Sequence, residues 1–232
     1  KEIYADGKIP IIAGGTGFYI QALLYDIDFT EQQCDETYRR QLEDLAREHG
    51  AEYLHGILRE VDPASAEAIH ANNIKRVIRA LEFYHLSGKK ISEHNETERQ
   101  KQSPYNFAYF VLTDERAKLY ERIDRRVNAM IEAGLVEEVK KLKSMGCSRE
   151  MVSMQGLGYK EILAYLDGGC TLEEAVYIIK RETRHFAKRQ LTWFKRERDV
   201  IWLDKQAFGY DDAAILTDGR TIRSPWYFKR SI

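Results

Sequence analysis

The chain has 232 residues, a hydrophobic fraction of 44% and a formal net charge of −1. This length suits one large domain or one domain with an insertion, and the near-neutral charge gives no overall sign of a nucleic-acid partner. No apolar run reaches the roughly 20 residues of a membrane-spanning helix, and no signal-peptide pattern opens the chain. The three cysteines are far apart and form no Cys-x-x-Cys pair, which argues against zinc and disulfides and fits a reducing cytosol.

Residues 7–26 have the pattern of a strand, a glycine turn and a helix. The apolar run 9–12 predicts a buried strand that leads into Gly14-Gly15-Thr16-Gly17. Such a turn can bring backbone N–H groups to a phosphate, or it can serve tight packing with Thr16 as the helix cap. The chain contains no G-x-x-x-x-G-K-[ST] loop. Because a parallel sheet needs companion strands and few follow, we expect an N-terminal part of this sheet to lie outside the sequence.

From about residue 28 to 103 the pattern predicts only helices and turns. Asp35 and Asn73 are suitable N-cap residues, and Gly50 and Gly88 are suitable helix ends. The polar stretch after Gly88 is typical of a mobile loop or linker. This segment also carries a basic cluster, a weak signal on its own because exposed cations are common: Arg39, Arg40, Lys75, Arg76 and Arg79.

The pattern changes again after residue 105. Two short runs of β-formers predict strands, and helices lie between them. The first of these helices is predicted to be capped by Asp114, and the last begins with a capping box formed by Thr171 and Glu174. The predicted elements are a strand at 107–113, helices at 114–134 and 135–146, a glycine turn at 153–161, a basic helix at 171–198 and a strand at 200–204.

The basic helix is the clearest candidate for contact with RNA. Between residues 180 and 198 it has eight Lys or Arg and two acids, a local charge of +6. Lys180, Arg184, Lys188 and Lys195 recur at helical spacing and can share one face. A basic face with aromatic residues suits a phosphate backbone with unstacked bases, but a solvated face is an equal alternative on charge alone. Trp193 and Phe194 are expected in the core.

Two further motifs are ambiguous by themselves. The stretch 153–161 places two glycines beside Gln155, Tyr159 and Lys160, where the backbone can approach a ligand or simply turn between helices. Arg122 and Arg126 lie four residues apart on one helix and can clamp a diphosphate. Pairing with neighbouring acids is the commoner arrangement for such arginines.

Taken together, five stretches resemble the tRNA dimethylallyltransferases, also called tRNA isopentenyltransferases. The resemblance covers nearly the whole chain in order and has the bacterial pattern. The stretches are GKIPIIAGGTGFYIQALL, NIKRVIRALEFYHLSGKKIS, RIDRRVNAMIEAGLVEEV, SMQGLGYKE and TRHFAKRQLTWFKRE.

This resemblance implies an α/β fold with a P-loop-NTPase-like parallel-sheet core and an all-helical insertion domain. We expect the core at 1–27 and 105–232, and the insertion, which binds the tRNA anticodon stem-loop, at 28–104. The implied reaction moves a dimethylallyl group from dimethylallyl diphosphate to N6 of adenosine 37 in tRNA, with Mg²⁺ as cofactor. The family's P-loop and general-base aspartate precede the GGTG strand and are outside these residues. If the protein begins at residue 1, the resemblance implies a non-catalytic tRNA-binding fragment.

The resemblance also implies site residues. Thr16 matches a catalytic threonine near the target nucleotide, and Arg126, or less favourably Arg122, matches the arginine that steadies the departing diphosphate. No metal ligand can be assigned. A cytoplasmic monomer without membrane contact is expected. The implied tRNA contacts are Arg39, Lys75, Arg76, Arg79, Gln155, Gly156, Gly158, Tyr159, Lys160, Arg184, Lys188, Arg189, Gln190, Trp193 and Lys195.

Overall fold

The computed structural model describes residues 2–27 and 35–222. They divide into two compact units: Lys1–Gly17 with Asn106–Ile232, and Phe18–Tyr105. In chain order the elements are α1 (Glu2–Ala5), α2 (Gly17–Leu24), α3 (Glu36–His49), α4 (Ala51–Val61), α5 (Pro63–Ala68), α6 (Ile74–Ser87), α7 (Ile91–Gln100), β1 (Tyr109–Thr113), α8 (Arg116–Glu132), α9 (Leu135–Ser144), a 3₁₀ helix (Val152–Gln155), α10 (Tyr159–Leu166), α11 (Leu172–Phe194), β2 (Val200–Asp204) and α12 (Asp212–Ile222).

The first unit combines a two-stranded parallel sheet with helices. β1 and β2 pair in parallel, with Tyr109 opposite Val200. Val127, Val139 and Ile162 belong to the apolar core where α8, α9, α10 and α11 pack together. The parallel pair between distant segments agrees with the α/β core expected from the sequence, and the prediction of β2 at 200–204 is confirmed.

The strand predicted at 9–12 is wrong for the described structure. Residues 8–14 have no regular secondary structure, and the Ile11 side chain is 84% exposed. A strand needs a neighbour to take its backbone hydrogen bonds. Both described strands pair with each other, and neither pairs with this segment.

The second unit is all-helical, from α2 to α7. Its core contains Leu54, Leu58 and Val77, all fully buried. The mobile linker predicted after Gly88 is wrong, because α7 forms there. Ser92 donates from its backbone N and its Oγ to Asp62, a fully buried carboxylate 30 residues earlier, and this tertiary contact holds the start of α7.

The predicted N-caps have mixed outcomes: Asp35 and Thr171 cap their helices, whereas Asn73 is at the N-cap position of α6 but its side chain makes no capping hydrogen bond. Asp35 accepts from the backbone N atoms of Thr37 and Tyr38, and Thr171 and Glu174 form the predicted reciprocal box. Asp114 as the cap of α8 is wrong, because the N-cap residue is Glu115 and that helix begins at Arg116. The Asp114 carboxylate instead binds groups from other segments.

Candidate nucleic-acid interface

The glycine turn contacts the far end of α11 within the first unit. The Nε2 atom of Gln190 donates to the carbonyl O of Gly15 at 2.7 Å. A Cβ added at Gly17 would lie 2.2 Å from Cδ1 of the Trp193 indole, so only glycine fits there. Thr16 lies between these two contacts and is exposed. The turn therefore presents the predicted catalytic threonine beside two predicted RNA-binding residues of α11.

The same end of α11 has a buried side. Phe194 is buried and meets the ring of Tyr109 edge-on at 6.2 Å, as expected of a core residue. Trp193 is half-buried, so the expectation that it belongs to the core is met only in part. Burial raises the pKa of Glu197, and a hydrogen bond with Trp193 offsets part of that rise.

The cations of α11 and of its C-cap are of two kinds. Arg184 forms two hydrogen bonds with the carboxylate of Asp124 on α8, at 3.0 and 2.9 Å. Lys188 and Lys195 are exposed and form no ion pair within the described residues. Arg189 lies over the exposed ring of Phe186, 5.8 Å from its centroid. Lys188, Arg189 and Lys195 are thus available to a ligand, whereas the charge of Arg184 is already balanced.

Arg122 and Arg126, one turn apart on α8, also differ. Nη1 of Arg122 donates to Oδ2 of Asp114 at 3.0 Å, and the Asp114 side chain is only 4% exposed. Arg126 is exposed and has no ion pair among the described residues. This arrangement favours Arg126 over Arg122 as the residue that meets a diphosphate.

Asp114 gathers contacts at the carboxyl end of β1. Its Oδ1 accepts from the backbone N of Glu115 at 2.8 Å and from the hydroxyl of Tyr210 at 2.9 Å. Burial alone would raise the pKa of Asp114, but these hydrogen bonds and the Arg122 guanidinium outweigh it and lower the pKa. The carboxylate therefore stays charged and ties three segments together.

A shallow cleft lies beside the glycine stretch that precedes α10, and Gln155 and Lys160 from either side of this stretch line it. Gly158 has φ of +103°, and its N–H donates to Oε2 of the buried Glu161 at 2.8 Å. The Tyr159 hydroxyl donates to Glu138, a contact that raises the pKa of Tyr159. Gly156 directly follows the 3₁₀ helix, two residues before Gly158. The cleft has a volume of about 460 Å³ and is lined by Arg149, Gln155, Lys160, Glu161, Ala164, Cys170 and Ile178.

In the helical unit, one predicted RNA-binding arginine is part of an internal fork. Nε and Nη2 of Arg39 donate to the two carboxylate oxygens of Glu82 at 2.7 and 2.8 Å. The Glu82 side chain is 2% exposed, and that of Arg39 is 42% exposed. Lys75, Arg76 and Arg79 are exposed on α6 and form no ion pair among the described residues.

Several of these contacts have no local sequence signal. Glu82 lies 43 residues from Arg39, and Asp124 lies 60 residues from Arg184. The sequence also gives no role to Arg116, although the first turn of α8, where it lies, carries cations and no acid.

Within residues 2–27 and 35–222, no group of three His, Cys, Asp or Glu side chains could hold a metal ion. In that part of the chain no helix is both long and apolar enough to cross a membrane. Cys147 and Cys170 are free thiols.

Comparison with known proteins gives concordant matches. The model of a family described as IPP transferase matches residues 1–197. The chain is 63% identical over 218 residues to the tRNA dimethylallyltransferase of Lachnoclostridium phytofermentans, covering 94% of this chain and 69% of the relative. It is 51% identical over 214 residues to that of Acetivibrio thermocellus, covering 92% and 68%.

Solved structures agree. The full-length tRNA isopentenylpyrophosphate transferase of Bacillus halodurans is 40% identical, with a TM-score of 0.57, over 96% of this chain and 72% of that one. A eukaryotic dimethylallyltransferase, described as acting on tRNA, is 28% identical, with a TM-score of 0.77, over 100% of this chain and 60% of that one.

Proposed function

The chain belongs to the IPP transferase family, and on that premise we propose that it is a tRNA dimethylallyltransferase. It moves a dimethylallyl group from dimethylallyl diphosphate to N6 of adenosine 37 in tRNA. The observation that carries the proposal is the match along nearly the whole chain to relatives named for this activity. The exposed cations of α6 and α11 support an RNA substrate.

The reaction needs alignment more than strong acid–base chemistry. The exocyclic N6 attacks the first prenyl carbon while the bond from that carbon to the diphosphate oxygen breaks. The electron pair leaves with the diphosphate, and the N6 proton passes to a base. Rate acceleration therefore depends on holding an extruded adenosine in line and on stabilising the charge of the leaving group.

The proposed roles depend on which side chains are exposed and which are already held by other residues. Thr16 is exposed on the glycine turn and is proposed to contact the target nucleotide there. Arg126 is proposed to stabilise the departing diphosphate, since Arg122 is held by Asp114. Gln190 and Trp193 support the turn from α11.

The remaining predicted contacts are proposed to hold the anticodon stem-loop. Lys75, Arg76 and Arg79 offer an exposed basic face on the helical unit. The cleft beside α10 offers the polar side chains of Gln155 and Lys160, to which a ribose or a phosphate can bind.

Mg²⁺ is proposed to act with the donor. Magnesium usually binds through substrate phosphates, waters and one or two carboxylates, so no dedicated protein cluster is required. The ion would neutralise diphosphate charge when bound. We further propose a cytoplasmic monomer; the free thiols of Cys147 and Cys170 fit the reducing conditions of that compartment.

Transfer of label from dimethylallyl diphosphate to an anticodon stem-loop tests the proposal, with the whole natural protein and Mg²⁺. A matched stem-loop with guanosine at position 37 is the control. Label on adenosine 37 alone is expected. Salt-sensitive binding without any transfer would indicate an RNA-binding protein instead, and absence of both would overturn the RNA substrate.

A further inference from the structure

A second, narrower cleft lies between α8 and α11, both in the first unit. Its volume is about 220 Å³, and its lining contains three cations, one aromatic ring and no carboxylate. The lining residues are Arg116, Leu119, Tyr120, Lys188, Leu191, Thr192 and Lys195. Lys188 and Lys195 are among the predicted RNA contacts, whereas Arg116 is not.

Arg116 forms no ion pair, in the part of the chain that the structure describes, with the two acids that precede it, Asp114 and Glu115. Arg116 occupies the first position of α8, and the first turn of that helix has no acidic residue. The N-terminal end of a helix carries partial positive charge, so a cation there is unfavourable. Lys195, in contrast, follows the last residue of α11, where the same dipole favours a cation.

Carboxylates lie on α8 and just before it, but they bind other arginines. Asp124 holds Arg184, and Asp114 holds Arg122. Among the described residues, none of the three cations of the cleft forms an ion pair. Three like charges around one small cleft repel each other unless an anion lies between them.

The rest of the lining indicates which anion fits. Leu119, Leu191 and the ring of Tyr120 supply apolar surface beside the cations. A free inorganic phosphate has no apolar part to contact such a surface, whereas a nucleotide places a ribose or base next to its phosphate. Arg116 can bind a phosphate with two N–H groups, and the two lysines add point charges.

We propose that this cleft binds one phosphodiester group of the RNA substrate and that Arg116 is an RNA-binding residue. The inference rests on the proposed function, since it needs an RNA substrate. The diphosphate of the prenyl donor has the same chemistry and is the competing source of the phosphate.

The test compares Arg116→Ala with Arg125→Ala in the whole enzyme. Arg125 lies on the same helix, is exposed and pairs only with the exposed Glu121, so its removal changes the net charge equally. The dissociation constant for the stem-loop is measured from about 50 to 200 mM salt. The Michaelis constants for RNA and for dimethylallyl diphosphate are measured alongside.

A lost phosphate contact makes the slope of log K against log salt shallower by about 0.7–0.9. We expect that change, and a several-fold higher KM for RNA alone, for Arg116→Ala and not for Arg125→Ala. An unchanged salt slope of stem-loop binding for Arg116→Ala overturns the inference. If the wild-type enzyme still transfers the dimethylallyl group, the proposed function is unaffected by that result. A raised KM for the donor alone also overturns the inference. Failure of the wild-type enzyme to bind or modify RNA overturns both.

Discussion

Each unit holds an arginine in a two-bond fork on a carboxylate, and the forks differ in burial. In the helical unit Arg39 lies on Glu82, whose side chain is 2% exposed. In the other unit Arg184 lies on Asp124, and both side chains are about a third exposed. Losing the partner of a buried charge is costly, whereas an exposed pair contributes little. The same geometry therefore stabilises the helical unit more than it stabilises α11.

The helical unit depends on its buried carboxylates, and Asp62 gives the largest expected effect. Asp62 accepts four hydrogen bonds, from the backbone N and Oγ of Ser65 and of Ser92. We expect Asp62→Ala to lower the free energy of unfolding by about 3 kcal/mol, since four donors lose one acceptor group. Urea denaturation followed by circular dichroism measures this.

Asp44→Ala is the control for Asp62. Asp44 is exposed and pairs with Arg47 three residues later, so its loss should cost less than about 0.5 kcal/mol. Equal effects for the two aspartates would mean that the buried hydrogen bonds of Asp62 do not hold α5 and α7.

The fork of the helical unit comes next. Arg39→Met keeps the side chain's bulk but leaves Glu82 buried without its partner. Because Arg39 itself is partly exposed, we expect a loss of about 2 kcal/mol, below the full cost of breaking a buried pair. Arg40→Met removes an exposed partner of Glu36 and should change stability little. A stable Arg39→Met protein with weakened RNA binding would reverse this assignment.

The exposed cations of α6 should affect RNA binding and not stability, which is the reverse of the expectation for Arg39. Replacing Lys75, Arg76 and Arg79 together with alanine should leave the free energy of unfolding nearly unchanged, because none has an ion pair among the described residues. Three lost phosphate contacts would make the salt dependence of stem-loop binding shallower by about 2. An unchanged salt dependence would remove this face from the RNA interface.

A pH series gives the smallest and most specific effect. Burial would raise the pKa of Asp62, but its hydrogen bonds outweigh burial and lower the pKa below the ordinary value near 3.8. A lowered pKa in the folded state means that the stabilisation is complete above that ordinary value and is lost as pH falls through the folded-state pKa. The difference in unfolding free energy between wild type and Asp62→Asn should thus be constant from neutral pH to about 5 and shrink below about 4. A gap that widens in acid would contradict this.

Features whose signals lie within a few residues of the sequence were predicted correctly, whereas features that depend on distant residues were not. The capping box of Thr171 and β2 were predicted because their patterns lie within a few residues. Helix α7 was missed because its anchor is Asp62, 30 residues away. The strand at 9–12 was predicted from its apolar run, but a strand also depends on a pairing partner.

For the site, the family resemblance named cations expected to contact RNA, but it could not separate the paired cations from the unpaired ones. Asp124 is 60 residues from Arg184, so nothing near Arg184 in the sequence reveals its partner. Arg116 was overlooked because one arginine at a helix start is not a motif. Arg116 becomes a candidate only because the structure places it in one cleft with Lys188 and Lys195.

The most direct test of this account compares two cations one turn apart on α11. Arg184→Met and Lys188→Met each remove one positive charge, and stem-loop KM, kcat and unfolding free energy are measured for both. We expect Lys188→Met to raise the KM several-fold with stability unchanged, because Lys188 has no ion pair among the described residues. Arg184→Met should lose about 0.5 kcal/mol of stability, with the smaller change in KM. The reverse result, with Arg184 governing the KM and Lys188 governing stability, would contradict the account.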